Sequence, residues 1–124
     1  MKEILLVEDD ALYSKILSYI LENSGYIVEC AGNGADAIKM TAAKHYDLVI
    51  TDILMPQTNG LDLLSHIKSL ENSAHTKVLV LSVLTNDYYL TESLSRGADE
   101  YIKKPVQAKE FIQAVRRLLY RPAA

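Results

Sequence analysis

The sequence predicts an α/β fold: a doubly wound five-stranded parallel sheet with helices on both faces. Three observations predict it. Short apolar runs alternate with longer stretches of helical period, giving five β-α units with no repeat, low-complexity segment or internal linker. Three of the runs are almost continuously apolar, as strands covered on both faces are. The 124 residues are the size of one ordinary domain. Such alternation implies right-handed crossovers. In such a sheet, ligands bind beyond the carboxyl ends of the strands.

The first strand is Ile4-Leu5-Leu6-Val7, stopped by Glu8-Asp9-Asp10. Asp10 is placed to cap the first helix, whose core face is read as Leu12, Ile16, Tyr19 and Ile20. Asn23-Ser24-Gly25 ends that helix, and Tyr26 to Cys30 form the second strand. Asn33 caps a second helix with Ala37, Ile38, Thr41 and Ala42 inward. Leu48-Val49-Ile50 is the third strand and runs into Thr51-Asp52. Residues 55–60 read as loop, punctuated by Pro56 and Gly60. Leu63, Leu64, Ile67 and Leu70 mark a third helix, and Val78 to Leu81 a fourth strand followed by Ser82. Thr85 or Asn86 caps a fourth helix that runs through Leu94 and closes at Gly97. A short fifth strand at Tyr101-Ile102 stops before Pro105. The last helix carries Phe111, Ile112, Val115, Leu118 and Leu119 on one side.

Composition narrows the function classes. Apolar residues at 49% and charged residues at 23% suit a folded globular chain and exclude a disordered one. A net charge of −3 gives no general pull toward nucleic acid, so no direct nucleic-acid binding by this segment is expected. Cys30 is the single cysteine, which excludes an intrachain disulfide and a thiolate metal cluster. Cys30 reads as a small buried hydrophobe in a strand, and this cysteine usage suits a reducing cytoplasm. The N-terminus lacks the pattern of a signal peptide, and no run approaches the roughly 20 apolar residues that span a bilayer. No membrane association is expected. His45 and His66 on predicted helices and His75 in a loop read as surface residues.

The chemistry collects at the strand ends. Glu8 and Asp9 follow the first strand, Asp52 ends the third, Ser82 follows the fourth and Lys104 the fifth. A parallel sheet places all of them along one rim. Three carboxylates gathered there repel one another. A hard cation such as Mg²⁺ removes the conflict, because it accepts a few carboxylates and keeps waters and phosphate oxygens. Lys104 adds a point positive charge and Ser82 a hydroxyl donor. These are the parts that phosphoryl transfer needs, since it rests on positioning and neutralisation of charge. Attack by a carboxylate gives an acyl phosphate. No Gly-rich Walker loop or kinase signature is present, so the phosphoryl group comes from elsewhere.

Singly, these residues are ordinary. An acid at a strand end is more often a solvated turn or a helix cap, which is how Asp10 is read. Asp47 precedes its strand on the far rim and reads as structural. Agreement among several strand ends carries the functional reading. A rival motif lies at Gly32-Asn33-Gly34-Ala35-Asp36-Ala37, which matches G-x-G-x-x-A after a strand and before a helix. As the fingerprint of a dinucleotide-binding Rossmann-like domain it would make Asp52 a ribose ligand. It leaves Glu8-Asp9, Ser82 and Lys104-Pro105 unexplained, and a tight turn plus a helix N-terminus accounts for it.

Glu8-Asp9, Asp52 with Met55-Pro56 and Gly60, Ser82, and the run from Gly97 to Pro105 stand in one order and spacing. By these residues the chain resembles the receiver domain of two-component response regulators, of the chemotaxis-regulator-like kind. The resemblance covers residues 1–124 as one receiver domain. It implies a flavodoxin-like sheet of order 2-1-3-4-5. It makes Asp52 the phosphoacceptor. It assigns Mg²⁺, with Mn²⁺ as a substitute, to Asp9, Asp52 and the backbone carbonyl of Leu54, with Glu8 acting partly through water. Ser82 would contact the phosphoryl group, Lys104 would pair with it, Tyr101 matches the switch aromatic, and Pro105 would follow a cis bond.

The implied donor is a sensor histidine kinase or a histidine phosphotransfer protein. Phosphorylation would draw in Ser82 and Lys104, turn Tyr101 inward, and switch the face of the fourth helix, fifth strand and fifth helix. An effector domain, a target protein or a phosphorylation-linked homodimer would read that face, with Tyr88, Tyr89 and Leu90 as contributors. Such a domain is not an enzyme beyond phosphorylating itself from small donors and dephosphorylating itself. Two residues depart from the family's habit: Val83 where a small residue is common, and Val106 where Phe is frequent. Slower exchange with small donors is expected, and apolar Leu54 and Leu84 should hinder attacking water. Arg116, Arg117 and Arg121-Pro122 either lead into a linker, at 120–124, or end a stand-alone regulator. A receiver-like adaptor that is never phosphorylated is the remaining alternative; the acceptor, acid pair and lysine all speak against it.

Overall fold

The computed structural model describes residues 1–55, 58–70, 75–83 and 87–120. Pro56, Leu84, the capping candidates Thr85 and Asn86, and the linker segment from Arg121 onward lie outside them. The elements run β1 (Glu3–Val7), α1 (Ala11–Asn23), β2 (Ile27–Ala31), α2 (Gly34–Ala43), β3 (Leu48–Asp52), β4 (Leu54–Met55), β5 (Thr58–Asn59), α3 (Gly60–Ser69), β6 (Lys77–Ser82), α4 (Asp87–Ser95), β7 (Glu100–Lys103) and α5 (Ala108–Tyr120). Five parallel strands form one sheet in the order β2-β1-β3-β6-β7. That is 2-1-3-4-5 once the antiparallel β4-β5 pair is set aside. The sequence predicts loop over residues 55–60, because two-residue strands leave no periodic signal.

The period-two alternation of each strand divides the core into two layers. On one face Leu5, Val7, Val49, Val78 and Val80 pack with Ala37 of α2 and Leu63, Leu64 and Ile67 of α3. On the other, Ile4, Leu6, Leu48, Ile50, Leu79 and Leu81 pack with Leu17 and Leu21 of α1 and Phe111, Val115 and Leu118 of α5. Full burial of each of these larger side chains contributes about 1.5–3 kcal/mol. Local signals set the helix ends. Asp10 accepts from the N–H groups of Leu12 and Tyr13, and Asn33 from that of Asp36. Gly25 follows α1 with a φ of 94°, where a side chain would be strained. Asp47 holds the far rim, its carboxylate accepting from the Glu3 N–H at 2.8 Å, as its structural reading requires.

Several expectations are corrected. The α1 face turns out differently: Leu12, Ile16 and Tyr19 are 69, 47 and 68% exposed, while Leu17 and Leu21 are buried and Tyr13 and Ile20 pack partly against the core. Both stripes have helical spacing, so periodicity alone does not choose between them. Cys30 is exposed, not buried, because β2 is an edge strand; its Sγ lies 3.1 Å from the Ser18 hydroxyl. Ala42 is exposed on α2. His45 sits past the end of α2, 3.8 Å from Asp47, and not on a helix. Leu70 is the residue that follows α3. Among the described residues, no helix is long and apolar enough to cross a membrane.

Candidate functional site

Parallel pairing in register brings the carboxyl ends of β1, β3, β6 and β7 to one rim. Glu8 and Asp9 directly follow β1, Asp52 is the last residue of β3, Ser82 the last of β6, and Lys104 directly follows β7. Each backbone is tied down locally. The Glu8 N–H donates to Ala31 O at 3.0 Å, extending the β1–β2 ladder by one step. The Lys104 N–H donates to Ser82 O at 2.8 Å, which extends β6–β7 in the same way. The Lys104–Pro105 bond is cis.

Lys104 is the hub. Its Nζ donates to Glu8 Oε1 at 2.5 Å and to Asp52 Oδ2 at 2.6 Å. The three side chains are only 11, 3 and 9% exposed, so this is a buried ionic group with more negative than positive charge. The remaining carboxylate oxygens have backbone donors. Asp52 Oδ1 accepts from the Leu54 N–H at 3.2 Å, and Glu8 Oε2 from the Asp10 N–H at 3.1 Å. Burial pushes Glu8 above the usual carboxylate range, against the hydrogen bond from Lys104 that pulls it down. Burial also opposes the charge on Lys104, but its bonds to Asp52 and Glu8 outweigh that and hold the ammonium above its ordinary pKa.

Asp9 is exposed and completes an acidic triad: one oxygen each from Glu8, Asp9 and Asp52 lies within 4.8 Å of the others. Hard oxygen donors at this spacing, with one member open to solvent, fit a divalent cation that retains waters. Gly60 closes the site from below. Its N–H donates to Ile53 O at 2.9 Å, and a Cβ there would lie 2.5 Å from Asp52 O and from Ile53 Cα. Glycine is needed here for close backbone approach.

The predicted residues Glu8, Asp9, Asp52, Ser82 and Lys104 therefore share one rim. Ser82 is fully buried, and the adjacent Val83 is exposed. Leu54 stands two residues after Asp52 and touches its carboxylate through the backbone N–H. Tyr101 lies on β7 opposite Val80, half-buried against the core. The rival glycines do not join the site: Gly32 follows edge strand β2, and β1 stands between β2 and the β3 strand that carries Asp52. A Cβ on Gly32 would meet nothing within 4 Å, as in an ordinary turn. The sequence reading missed Tyr13, whose ring centroid lies 4.7 Å from Lys104 Nζ. Only the correct choice of α1 face would have found it.

The response regulator receiver domain family matches residues 4–116. The chain is 34% identical to the transcriptional regulatory protein CpxR homolog of Haemophilus influenzae over 124 residues, covering 100% of this chain and 53% of that protein. It is 36% identical over 119 residues to the probable transcriptional regulatory protein SilR of Salmonella typhimurium, covering 96% of this chain and 51% of that one. The chain thus spans about half the length of the curated relatives it matches. The receiver domain of a signal transduction histidine kinase from Syntrophus aciditrophicus superposes with a TM-score of 0.89 at 33% identity, covering 100% of this chain and 96% of that one. The chemotaxis protein CheY4 of Vibrio cholerae superposes with a TM-score of 0.91 at 25% identity, covering 96 and 99%. With its fold, its acidic rim and its sequence in agreement, this chain belongs to the response regulator receiver domain family, the signal-receiving module of two-component systems.

Proposed function

We propose that the chain is a phosphorelay receiver that takes a phosphoryl group onto Asp52 from a histidine kinase or phosphotransfer protein. The observation that carries this reading is the Lys104 ammonium shared by Asp52 and Glu8, with Asp9 close by, at the end of a central strand. An Asp52 carboxylate oxygen attacks phosphorus; the new O–P bond forms as the donor's P–N bond breaks, and the imidazole nitrogen leaves with the electron pair. Acetyl phosphate reacts in the same sense, with acetate leaving. Asp9, Asp52 and the Leu54 carbonyl, with Glu8 beside them, would hold Mg²⁺, which would neutralise phosphoryl-oxygen charge when bound.

The protein's own groups do the rest. The Leu54 N–H fixes the orientation of the Asp52 carboxylate. Lys104 exchanges a carboxylate oxygen for a phosphoryl oxygen, which it follows as a mobile point charge. The Ser82 hydroxyl donates to the same group. Phosphorylation turns the Asp52 carboxylate into an acyl phosphate, replacing one negative charge by a dianionic group, and Ser82, Lys104 and Tyr101 carry that change to the α4–β7–α5 face. The exposed stripe of Leu12, Ile16 and Tyr19 on α1, beside the site, offers the donor protein an apolar footing.

Mass spectrometry after incubation with acetyl phosphate and Mg²⁺ tests the assignment. One added phosphoryl group is expected, lost in Asp52→Asn. An undiminished adduct in that variant refutes Asp52 as acceptor.

A further inference from the structure

The first turn of α1 is built onto the acidic rim. Glu8 Oε2 accepts from the Asp10 N–H, and Asp10 in turn caps the helix through the N–H groups of Leu12 and Tyr13. This delivers Tyr13 to the exit of β7. Its ring centroid lies 4.7 Å from Lys104 Nζ, and its hydroxyl accepts from the Val106 N–H at 3.4 Å. One side chain thus touches the residues on both sides of Pro105. Tyr13 and Val106 also pack partly against the same core layer, which steadies the ring.

Lysine carries its charge on a flexible four-carbon stem and does not orient itself. At this site the two carboxylates hold the ammonium at 2.5 and 2.6 Å, and the Tyr13 ring lies 4.7 Å from it. An aromatic face attracts a cation, most strongly where water is excluded, and adds a wall. We propose that Tyr13 is a positioning residue for Lys104: its ring holds the ammonium at Glu8 and Asp52, and its hydroxyl fastens the Lys104-Pro105-Val106 turn to α1. Tyr13 itself needs no contact with the phosphoryl group. The kinetic consequence rests on Asp52 being the acceptor; the placement of Lys104 does not.

Two measurements on the full chain separate these. In NMR spectra, the methylene next to Lys104 Nζ is expected to be shielded by the ring. Tyr13→Phe should keep its resonances in place, and Tyr13→Leu should move them downfield toward ordinary lysine positions. Unmoved resonances in Tyr13→Leu overturn the proposal. In phosphorylation by acetyl phosphate with Mg²⁺, Tyr13→Leu should slow the reaction about five-fold, which is about 1 kcal/mol in the barrier. Tyr13→Phe should lose about two-fold or less. In a Lys104→Met background, Tyr13→Leu should cost nothing further. An equal five-fold loss in that background shows general damage to the fold and overturns the proposal. If no variant, wild type included, is phosphorylated, the acceptor assignment fails and the NMR result alone decides the placement. Tyr13→Met takes the place of the leucine variant should the latter not fold.

Discussion

Asp9→Asn is expected to raise stability without metal and to lower it, relative to wild type, with saturating Mg²⁺. One oxygen of Asp9 lies within 4.8 Å of one on Glu8 and one on Asp52. Two like charges at that distance repel by about 0.9 kcal/mol at the dielectric of bulk water and by about 3.5 kcal/mol at an effective value of 20. Asp9 is exposed, so the watery limit is closer. Two such repulsions sum to about 2 kcal/mol, and salt reduces but does not erase them, since the screening length of about 8 Å exceeds their separation. The Lys104 bridge to Glu8 and Asp52 stays intact. The variant should therefore gain roughly 1–2 kcal/mol in EDTA, a rise in Tm of about 3–8 °C for a domain of this size. Binding reverses the order. At a Mg²⁺ concentration of 100 times Kd, wild type gains about 2.7 kcal/mol, and the variant, one ligand short, gains far less. Thermal unfolding by circular dichroism at matched ionic strength reads both conditions. A variant less stable in EDTA, or an order that does not invert with Mg²⁺, refutes the reasoning.

Other outcomes follow from the same geometry. Gly60→Ala drives a methyl into the Asp52 and Ile53 backbone; a loss of about 1–3 kcal/mol in denaturant unfolding, with slower acetyl phosphate reaction, is expected, and wild-type behaviour in both would show that the strand end yields freely. Ile16→Glu breaks the exposed α1 stripe and should slow transfer from a phosphorylated histidine protein while leaving acetyl phosphate kinetics unchanged; equal slowing with both donors counts against α1 as the footing. Glu8, raised by burial, contributes stability that is present below the unfolded pKa of about 4.3 and is lost as pH rises through the higher folded value. Glu8→Gln mimics the neutral form, so in metal-free buffer its advantage over wild type should widen from pH 4 to pH 7.5, and a gap that narrows over this range contradicts the sign.

The rim was legible in the sequence because its chemistry rests on topology alone. A parallel α/β sheet sends every strand's carboxyl end the same way, so Glu8, Asp9, Asp52, Ser82 and Lys104 fall on one rim, and the neighbour order β1-β3-β6-β7 brings them together. The misreadings concern facts that topology leaves open. Two stripes of helical spacing exist on α1, and the more exposed one was read as core. Cys30 looks like a core residue until β2 is known to be an edge strand. Gly60 reads as turn punctuation, yet its role is the 2.5 Å gap beneath Asp52. Tyr13 was lost with the α1 face, since its partner is 91 positions away in the chain and no local pattern links them.

Lys104 gives this site its character. In a rim built only of acids, Glu8 and Asp52 would be pushed apart or protonated. Here a single ammonium bridges them and is buried with them. Removing the ammonium from such a group leaves two buried carboxylates uncompensated, which costs about 3–5 kcal/mol in comparable cases. On the proposed reading, a phosphoryl group arriving on Asp52 would offer the ammonium new oxygens. The bridge can therefore transfer its bond rather than break it. That exchange needs the lysine tip to move while its root stays fixed, and the root is fixed on two sides: by the Lys104 N–H on Ser82 O, and by Tyr13 on Val106. In the proposed receiver, a mobile charge on an anchored stem would let one event at Asp52 be felt at β6, β7 and α1 together.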